Sequence, residues 1–254
     1  MVQWTEYDNV SFYPAPVDTI LKLAEQSNMS VFLGLAHDTS FWSSTQRDPE
    51  LVAVYLRRLR TRSESVAENV APSASKYKSF AGWYISEEIE DFSWREPALT
   101  LALTEHLRQL AVRLHELSPG ARVAISGFSN GQSDPKAFEL FWRSLLKTSS
   151  IDMFMFQDGI GAGKLDLNTL PLYMEAARRA TEAEHCELGV IVEMFQQIDA
   201  QFGPAPLERI VRQLGIASHE YPWRVFGFSV PEYMSPLGGA EAERLFAEYV
   251  VALP

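Results

Sequence analysis

Short apolar runs alternate with amphipathic stretches along the whole chain. Val2 to Thr5, Ser30 to Leu35, Phe80 to Ile85, Arg122 to Gly127, Ile151 to Gln157, Glu187 to Glu193 and Arg224 to Val230 read as strands. Between them, apolar residues recur at helical spacing. They predict helices over Val17 to Ser27, from Asp48 onward, and over Glu96 to Ser118, Asp134 to Lys147, Thr169 to Ala183, Ala205 to Leu214 and Gly239 to Ala252. Asp48-Pro49-Glu50 has the form of a cap, a proline at the first helical position and an acidic first turn. Ser118-Pro119-Gly120 supplies a stop.

Several strands are unbroken apolar runs, such as Val31-Phe32-Leu33-Gly34-Leu35 and Met153-Phe154-Met155-Phe156. Such runs mark strands covered on both faces, and strict βα alternation gives a parallel sheet wrapped by helices. A doubly wound nucleotide fold places a glycine-rich turn after its first strand, whereas Trp4-Thr5-Glu6-Tyr7-Asp8 has no glycine. Gly159-Ile160-Gly161-Ala162-Gly163-Lys164 resembles a phosphate loop but lacks the GxxxxGK[ST] spacing, and reads better as a loop shaping a barrel mouth. The expected fold class is α/β, a (β/α)8 TIM-type barrel. Seven βα units are visible, and no interior gap has room for an eighth. The missing first unit is therefore expected upstream of Met1, the alternative being an open seven-stranded variant. With no linker or charge block, residues 1–254 are expected to form one domain.

Composition narrows the partners. A net charge of −11 argues against nucleic acid and anionic membrane surfaces. It fits a neutral or cationic small ligand without selecting either. No apolar run is long enough to span a membrane. The single cysteine, Cys186, rules out an intramolecular disulfide and a cysteine-based zinc site, and reads as a small buried hydrophobe. No signal peptide is visible at Met1-Val2-Gln3-Trp4. The expected location is periplasmic or extracellular if an upstream signal was lost, and cytoplasmic otherwise. The oligomeric state is not legible.

In a barrel of this type, chemistry gathers at the carboxyl ends of the strands. Those ends carry Tyr13, then His37, Asp38 and Trp42, then Glu87 and Glu88, then Ser126 and Asn130, then Gln157 and Asp158, then Glu193, then Tyr233. Aromatics mixed with carboxylates and amides suit a polyhydroxylated ligand, whose C–H faces stack on rings while its hydroxyls need fixed partners. Glycoside hydrolysis needs two carboxyl groups flanking one bond, one protonated and one ionised. Gly82-Trp83-Tyr84-Ile85-Ser86-Glu87-Glu88-Ile89-Glu90-Asp91 delivers an apolar strand into an acidic cluster. Glu88 is the candidate there, although the adjacent Glu87 leaves open which of the two faces inward. Glu90 and Asp91 read as a solvated loop and a cap ahead of Pro97. Glu193 ends the run Gly189-Val190-Ile191-Val192, where a charge is costly unless it lies in a cleft or is paired, with Arg179 or Arg224 as possible partners. Counting the absent unit, Glu88 follows strand four and Glu193 strand seven, across the barrel mouth. That arrangement is similar to the large superfamily of retaining glycosidases, except that an asparagine commonly precedes the strand-four acid where this chain has Glu87.

The chain also resembles the (β/α)8 family catalogued as domain of unknown function 4434, a set of glycoside-hydrolase-like barrels. The resemblance rests on Gln3-Trp4-Thr5, Tyr13-Pro14, Val31 to Leu35, Gly82-Trp83-Tyr84-Ile85 with Glu88, Gln157-Asp158-Gly159-Ile160-Gly161 and Val192-Glu193-Met194-Phe195. It spans nearly the whole chain and implies a full barrel linked to polysaccharides. It fixes fold better than reaction.

The reading is a glycoside hydrolase acting on a polysaccharide or oligosaccharide, with retention of configuration. Glu88 is the expected acid/base and Glu193 the nucleophile. Gln157, Asp158 and Tyr84 are expected to orient the sugar or tune the nucleophile, and Trp4, Trp42 and Tyr233 to stack against it. Tyr13 and Glu87 complete the expected binding set. His37 and Asp38 form a sugar-binding pair, a supporting pair, or a solvated one. The rival is a non-catalytic carbohydrate-binding barrel in an exopolysaccharide system. No cofactor is expected, and no metal, since the five histidines form no HxH or HExxH pattern. Were a metal present, Asp158, Asp38 and Glu193 would be its best oxygen ligands. A serine hydrolase is disfavoured by the absence of a GxSxG elbow.

Overall fold

The structure is a computed structural model that describes residues 2–5, 15–220 and 224–252, with backbone only at 2–5, 15, 219 and 220. Seven strands lie in one parallel sheet: β1 (Val2–Thr5), β2 (Val31–His37), β3 (Phe80–Glu90), β4 (Arg122–Phe128), β5 (Met153–Gln157), β6 (Glu187–Glu193) and, after the hairpin β7 (Phe195–Ile198) and β8 (Gln201–Pro204), β9 (Arg224–Phe228). They follow one another in chain order across the sheet, with β1 and β9 at its two margins. Helices α1 (Ala15–Gln26), α2 (Phe41–Thr45), α3 (Pro49–Ala74), α4 (Pro97–Leu117), α5 (Pro135–Ser149), α6 (Leu170–Ala183), α7 (Leu207–Glu220), α8 (Val230–Tyr233) and α9 (Ala240–Ala252) occupy the connections. The fold is a curled α/β sheet of the (β/α)8 barrel type.

The helix starts follow the sequence chemistry. Asp48 and Asp134 cap α3 and α5, accepting from Glu50 N at 3.0 Å and Ala137 N at 2.8 Å, each ahead of a proline that has no N–H to satisfy. The sheet then divides the core in two by strict alternation. Trp83, Ile85, Phe154, Phe156, Val190 and Val192 point outward into the layer shared with the helices. Phe32, Tyr84, Ala124, Met153, Met155 and Ile191 point inward and fill the barrel lumen. Trp142 of α5 stacks on Phe154, with ring centroids 3.9 Å apart.

Two features depart from the sequence expectation. First, β3 does not end at Ile85. Its register against β4 moves from Ile85↔Ile125 directly to Glu88↔Ser126, so Ser86 and Glu87 are extra on β3 and the strand continues to Glu90. Glu90 and Asp91 are therefore buried rather than solvated. Glu90 accepts from the backbone N–H groups of Phe92 and Ser93, at 2.8 and 2.7 Å, and from Asn130 at 3.0 Å. Asp91 is fully enclosed, and burial pushes its carboxyl up. Second, the hairpin β7–β8 follows Glu193 in place of a plain loop.

Helix α5 approaches β4 so closely that a Cβ at Gly127 would fall inside the Trp142 ring. Gly127→Ala is expected to destabilise the fold by about 1–3 kcal/mol, read as a lowered urea midpoint with an unchanged m-value.

Candidate active site

The inward columns of the strands continue upward into polar groups. The alternation that puts Tyr84 in the lumen also puts Glu88 there, because β3 inserts an even number of residues. By the same parity Ser126 follows Ala124, Gln157 follows Met155, and Glu193 follows Ile191. These four make the floor of the barrel mouth. Gln157 Nε2 donates to Glu88 Oε1 (3.1 Å) and to Ser126 Oγ (3.0 Å), and Ser126 Oγ shares a 2.7 Å hydrogen bond with the Tyr84 hydroxyl.

A cavity of about 360 Å³ sits on this floor, and Glu88 and Glu193 both line it. Trp42, Phe128, Phe195 and Phe228 form its aromatic walls. Trp42 is braced edge-on by Phe41 and against Phe128, with centroids at 5.5 and 5.9 Å, and remains 38% exposed.

The two carboxyl groups occupy unlike surroundings. Glu88 is half-buried. Glu193 is only 6% exposed, and its Oε2 accepts from Ala162 N at 2.8 Å. Gly161 allows that approach, since a Cβ there would lie 2.9 Å from Glu193 Cβ. Beneath it is Asp158, fully buried. Asp158 Oδ1 accepts from Ile160 N (3.1 Å) and Glu193 N (3.3 Å), and its Oδ2 accepts from Gln213 Nε2 (2.6 Å). Burial pushes Glu193 up to about 7, reinforced by the negative charge of Asp158 and opposed by the backbone donors. Burial raises Asp158 to about 6, restrained by the Gln213 amide. The two carboxyl groups are coupled, so their protons belong to the pair, and both are held above the ordinary carboxylate range. Among the described residues Glu193 makes no rim ion pair: Arg179 binds Glu139 and Glu175, and Arg224 lies 3.8 Å from Glu187. Arg209 instead donates to the backbone carbonyls of Glu193 and Phe195.

Four residues expected to touch a ligand lie outside the walls of this cavity. Tyr84 lies below the floor, wholly in the lumen, because it belongs to an inward column one step before the mouth. Asp158 is shielded under Glu193 by its three donors. Tyr233 is absent from the walls of this cavity and packs behind Phe195, at 5.4 Å between centroids. Glu87 points away from Glu88, and its Oε1 lies 2.9 Å from His106 Nε2 of α4 in a buried pair. The outward parity of Glu87 is the reason. His37 and Asp38 line an adjoining cavity with Trp42. Asp38 Oδ1 accepts from Ser40 N (2.9 Å) and Oγ (2.7 Å). Tyr13 and the side chain of Trp4 lie outside the described residues. Cys186 is only partly buried, short of the enclosed position expected, and burial pushes its thiol up to about 12.

Sequence reasoning missed Gln213, Arg209 and His106. Each is a polar residue beside the apolar stripe of its helix, which was the available signal. Among the described residues, no group of three or more His, Cys, Asp or Glu is placed to hold a metal ion, and no helix is long and apolar enough to cross a membrane.

The family profile described as domain of unknown function (DUF4434) matches residues 1–238. The chain belongs to this family. An uncharacterized protein of Escherichia coli K12, YbcH, is 26% identical over 204 residues, which are 77% of this chain and 65% of that protein. The chain thus matches less than two thirds of that relative's length. Among solved structures, a candidate alpha-L-fucosidase of Bacteroides thetaiotaomicron superposes with a TM-score of 0.76 at 22% identity, over 92% of this chain and 70% of that one. A GH18 chitinase of Pseudoalteromonas aurantia gives 0.56 at 12% identity, over 96% and 84%. An intracellular xylanase of Thermoanaerobacterium saccharolyticum gives 0.56 at 13% identity, over 88% and 73%. These likenesses establish that the DUF4434 chain has the barrel fold on which those glycoside hydrolases are built.

Folded Glu193 binds its proton more tightly than an unfolded glutamate. Its stabilising contribution is present below the unfolded value and is lost as pH rises through about 7. Glu193→Gln, which never carries the charge, is expected to gain stability over the parent across that window, by on the order of 2–3 kcal/mol at its alkaline end. Urea denaturation of both proteins across the pH range checks this.

Proposed function

We propose that this DUF4434 chain hydrolyses glycosidic bonds in an oligosaccharide or polysaccharide. One observation carries the proposal: two carboxyl groups of unlike environment, Glu88 and Glu193, wall a single aromatic-lined cavity at the carboxyl ends of parallel strands. The glycosidase-like fold supports it.

The surroundings of the pair favour the reverse of the roles expected from strand order. Glu193 holds its proton near neutrality, which suits the general acid that protonates the departing oxygen. Glu88 is half-buried and accepts an amide hydrogen bond from Gln157, which fixes its orientation as an attacking group requires. In this reading Glu88 attacks the anomeric carbon while Glu193 delivers its proton. The resulting glycosyl ester on Glu88 is cleaved by a water that Glu193, now ionised, deprotonates. Configuration is retained. Trp42 offers its ring to a sugar face, and Gln157 holds Glu88 in line.

Release of reducing ends from a panel of xylan, chitin, chitosan and fucosylated oligosaccharides is the test. Turnover of at least one substrate is expected, falling as pH rises through about 7 as Glu193 loses its proton. Glu193→Gln and Glu88→Gln are each expected to lose about 10³-fold or more in kcat with sugar binding kept. NMR of the first-released anomer reads the stereochemistry. Binding without turnover in the parent protein would replace the hydrolase with a carbohydrate-binding barrel.

A further inference from the structure

Asp158 stands just past the end of β5, and Glu193 ends the neighbouring strand β6. Hydrogen bonds decide where a proton shared by this coupled pair rests. Among the described residues, the Asp158 carboxyl only accepts: from Ile160 N and Glu193 N at Oδ1, and from Gln213 Nε2 at Oδ2. Two of these donors are backbone N–H groups, which have no acceptor to offer. The Gln213 amide has one, its Oε1, and a turned amide could take a proton from Asp158. The same Nε2, however, also donates to the backbone carbonyl of Glu193 at 3.3 Å. Turning the amide would set Oε1 against that carbonyl oxygen, two acceptors with no hydrogen between them. Gln213 is thereby fixed as a donor. A carboxyl ringed by three fixed donors favours its ionised form.

Glu193 is held differently. Its Oε2 accepts from Ala162 N, and no hydrogen bond reaches its Oε1 from the described residues. That leaves Oε1 to carry a proton, on a residue that lines the cavity. The other charges nearby do not reverse this choice. Arg209 of α7 acts on both carboxyl groups in the same direction. Glu88 of β3 and Lys164 of the loop after β5 share the cavity with Glu193, and neither forms an ion pair with it among the described residues.

Asp158 also ties the parts together. One oxygen, Oδ1, holds both Ile160 N and Glu193 N, so the loop that carries Ala162 is fastened to the backbone of the residue Ala162 grips. Asp158 and Gln213 between them engage the N–H and the C=O of residue 193.

We propose that Asp158 is a positioning residue for Glu193. Locked by Gln213, it stays ionised, fixes residue 193 against the loop that grips it, and by its charge keeps the shared proton on Glu193, where a departing sugar oxygen can take it. The departing oxygen rests on the hydrolase reading. The placement of charge and proton does not.

Carboxyl 13C NMR of the Asp- and Glu-labelled protein tests it, with both signals assigned through backbone correlations. As pH falls from alkaline values, the first proton taken up by the parent protein is expected to move the Glu193 signal through most of its range, with a midpoint near 7, while Asp158 moves little. An Asp158 signal that moves first, or two signals that move equally, overturns the proposal, with no dependence on how a variant folds. Gln213→Met removes the fixed donor, and is expected to raise the Asp158 midpoint and lower that of Glu193. Asp158→Asn is expected to lower the Glu193 midpoint by about one pH unit or more. A Glu193 midpoint indifferent to both changes also overturns the proposal. Where an oligosaccharide is cleaved, the alkaline limb of kcat/KM is expected to move to lower pH in Asp158→Asn together with that midpoint, a displacement that a purely structural role does not produce. Absence of cleavage by the parent protein sinks the hydrolase and leaves the titration to decide the role of Asp158.

Discussion

Glu193 puts a carboxyl group where water barely reaches, directly above Asp158, which water does not reach at all. Two such groups in a poorly polarisable interior cannot both ionise without a large cost. Much of the surrounding architecture answers that constraint. Asp158 is enclosed by three donors, one of them the Gln213 side chain sent down from α7. Arg209, one turn earlier on the same helix, brings a positive charge to the backbone carbonyls on either side of Met194. The loop after β5 turns back so that Ala162 can donate to Glu193, and only glycine fits at 161 while it does so. Strand, loop and helix are thus tied together at one strand end, and the raised affinity of Glu193 for a proton is a consequence of how they meet.

The opposite wall obeys a different rule. Side-chain alternation decides between Glu87 and Glu88, which are chemically identical neighbours. Even parity across the β3 irregularity keeps Glu88 in the lumen column, above Tyr84, and sends Glu87 to His106. A single extra residue in place of two would exchange them, placing Glu87 in the lumen column and forcing Glu88 among the helices. The site therefore depends on the register of β3 against β4 as much as on the identity of its acids.

The parallel sheet was legible because several of its strands are unbroken apolar runs and two of its helices announce their starts with Asp-Pro. Glu88, Glu193, Gln157 and Trp42 were legible as groove residues because barrel strands end where chemistry collects. Which acids would be buried was not. Glu90 and Asp91 looked solvated because a run of four acids within five residues suggests the end of a strand, and only the pairing with β4 carries that strand further. Asp158 looked available for the same reason that Gln157 was. The difference lies in Gln213, fifty-five residues away and reached only through the tertiary fold. Tyr233 and Phe195 both follow strands, but the hairpin β7–β8 that places Phe195 forward has weak local signals.

The acidity of the chain takes on meaning once its charges are placed. On the helix exteriors acids meet arginines: Glu105 with Arg108, and Glu68 and Glu116 with Arg113. Such exposed pairs add little stability, but they cancel charge locally. Among the described residues no ion pair is made by Glu88 or Glu193. Those two carboxyl groups stand at the strand ends with Lys164 in the same cavity, whose low-polarisability walls strengthen any charge they carry. Pairing on the outside and bare carboxyls in the groove are two halves of one arrangement. It leaves the mouth of the barrel as the place where a hydrogen-bond-donating ligand gains most.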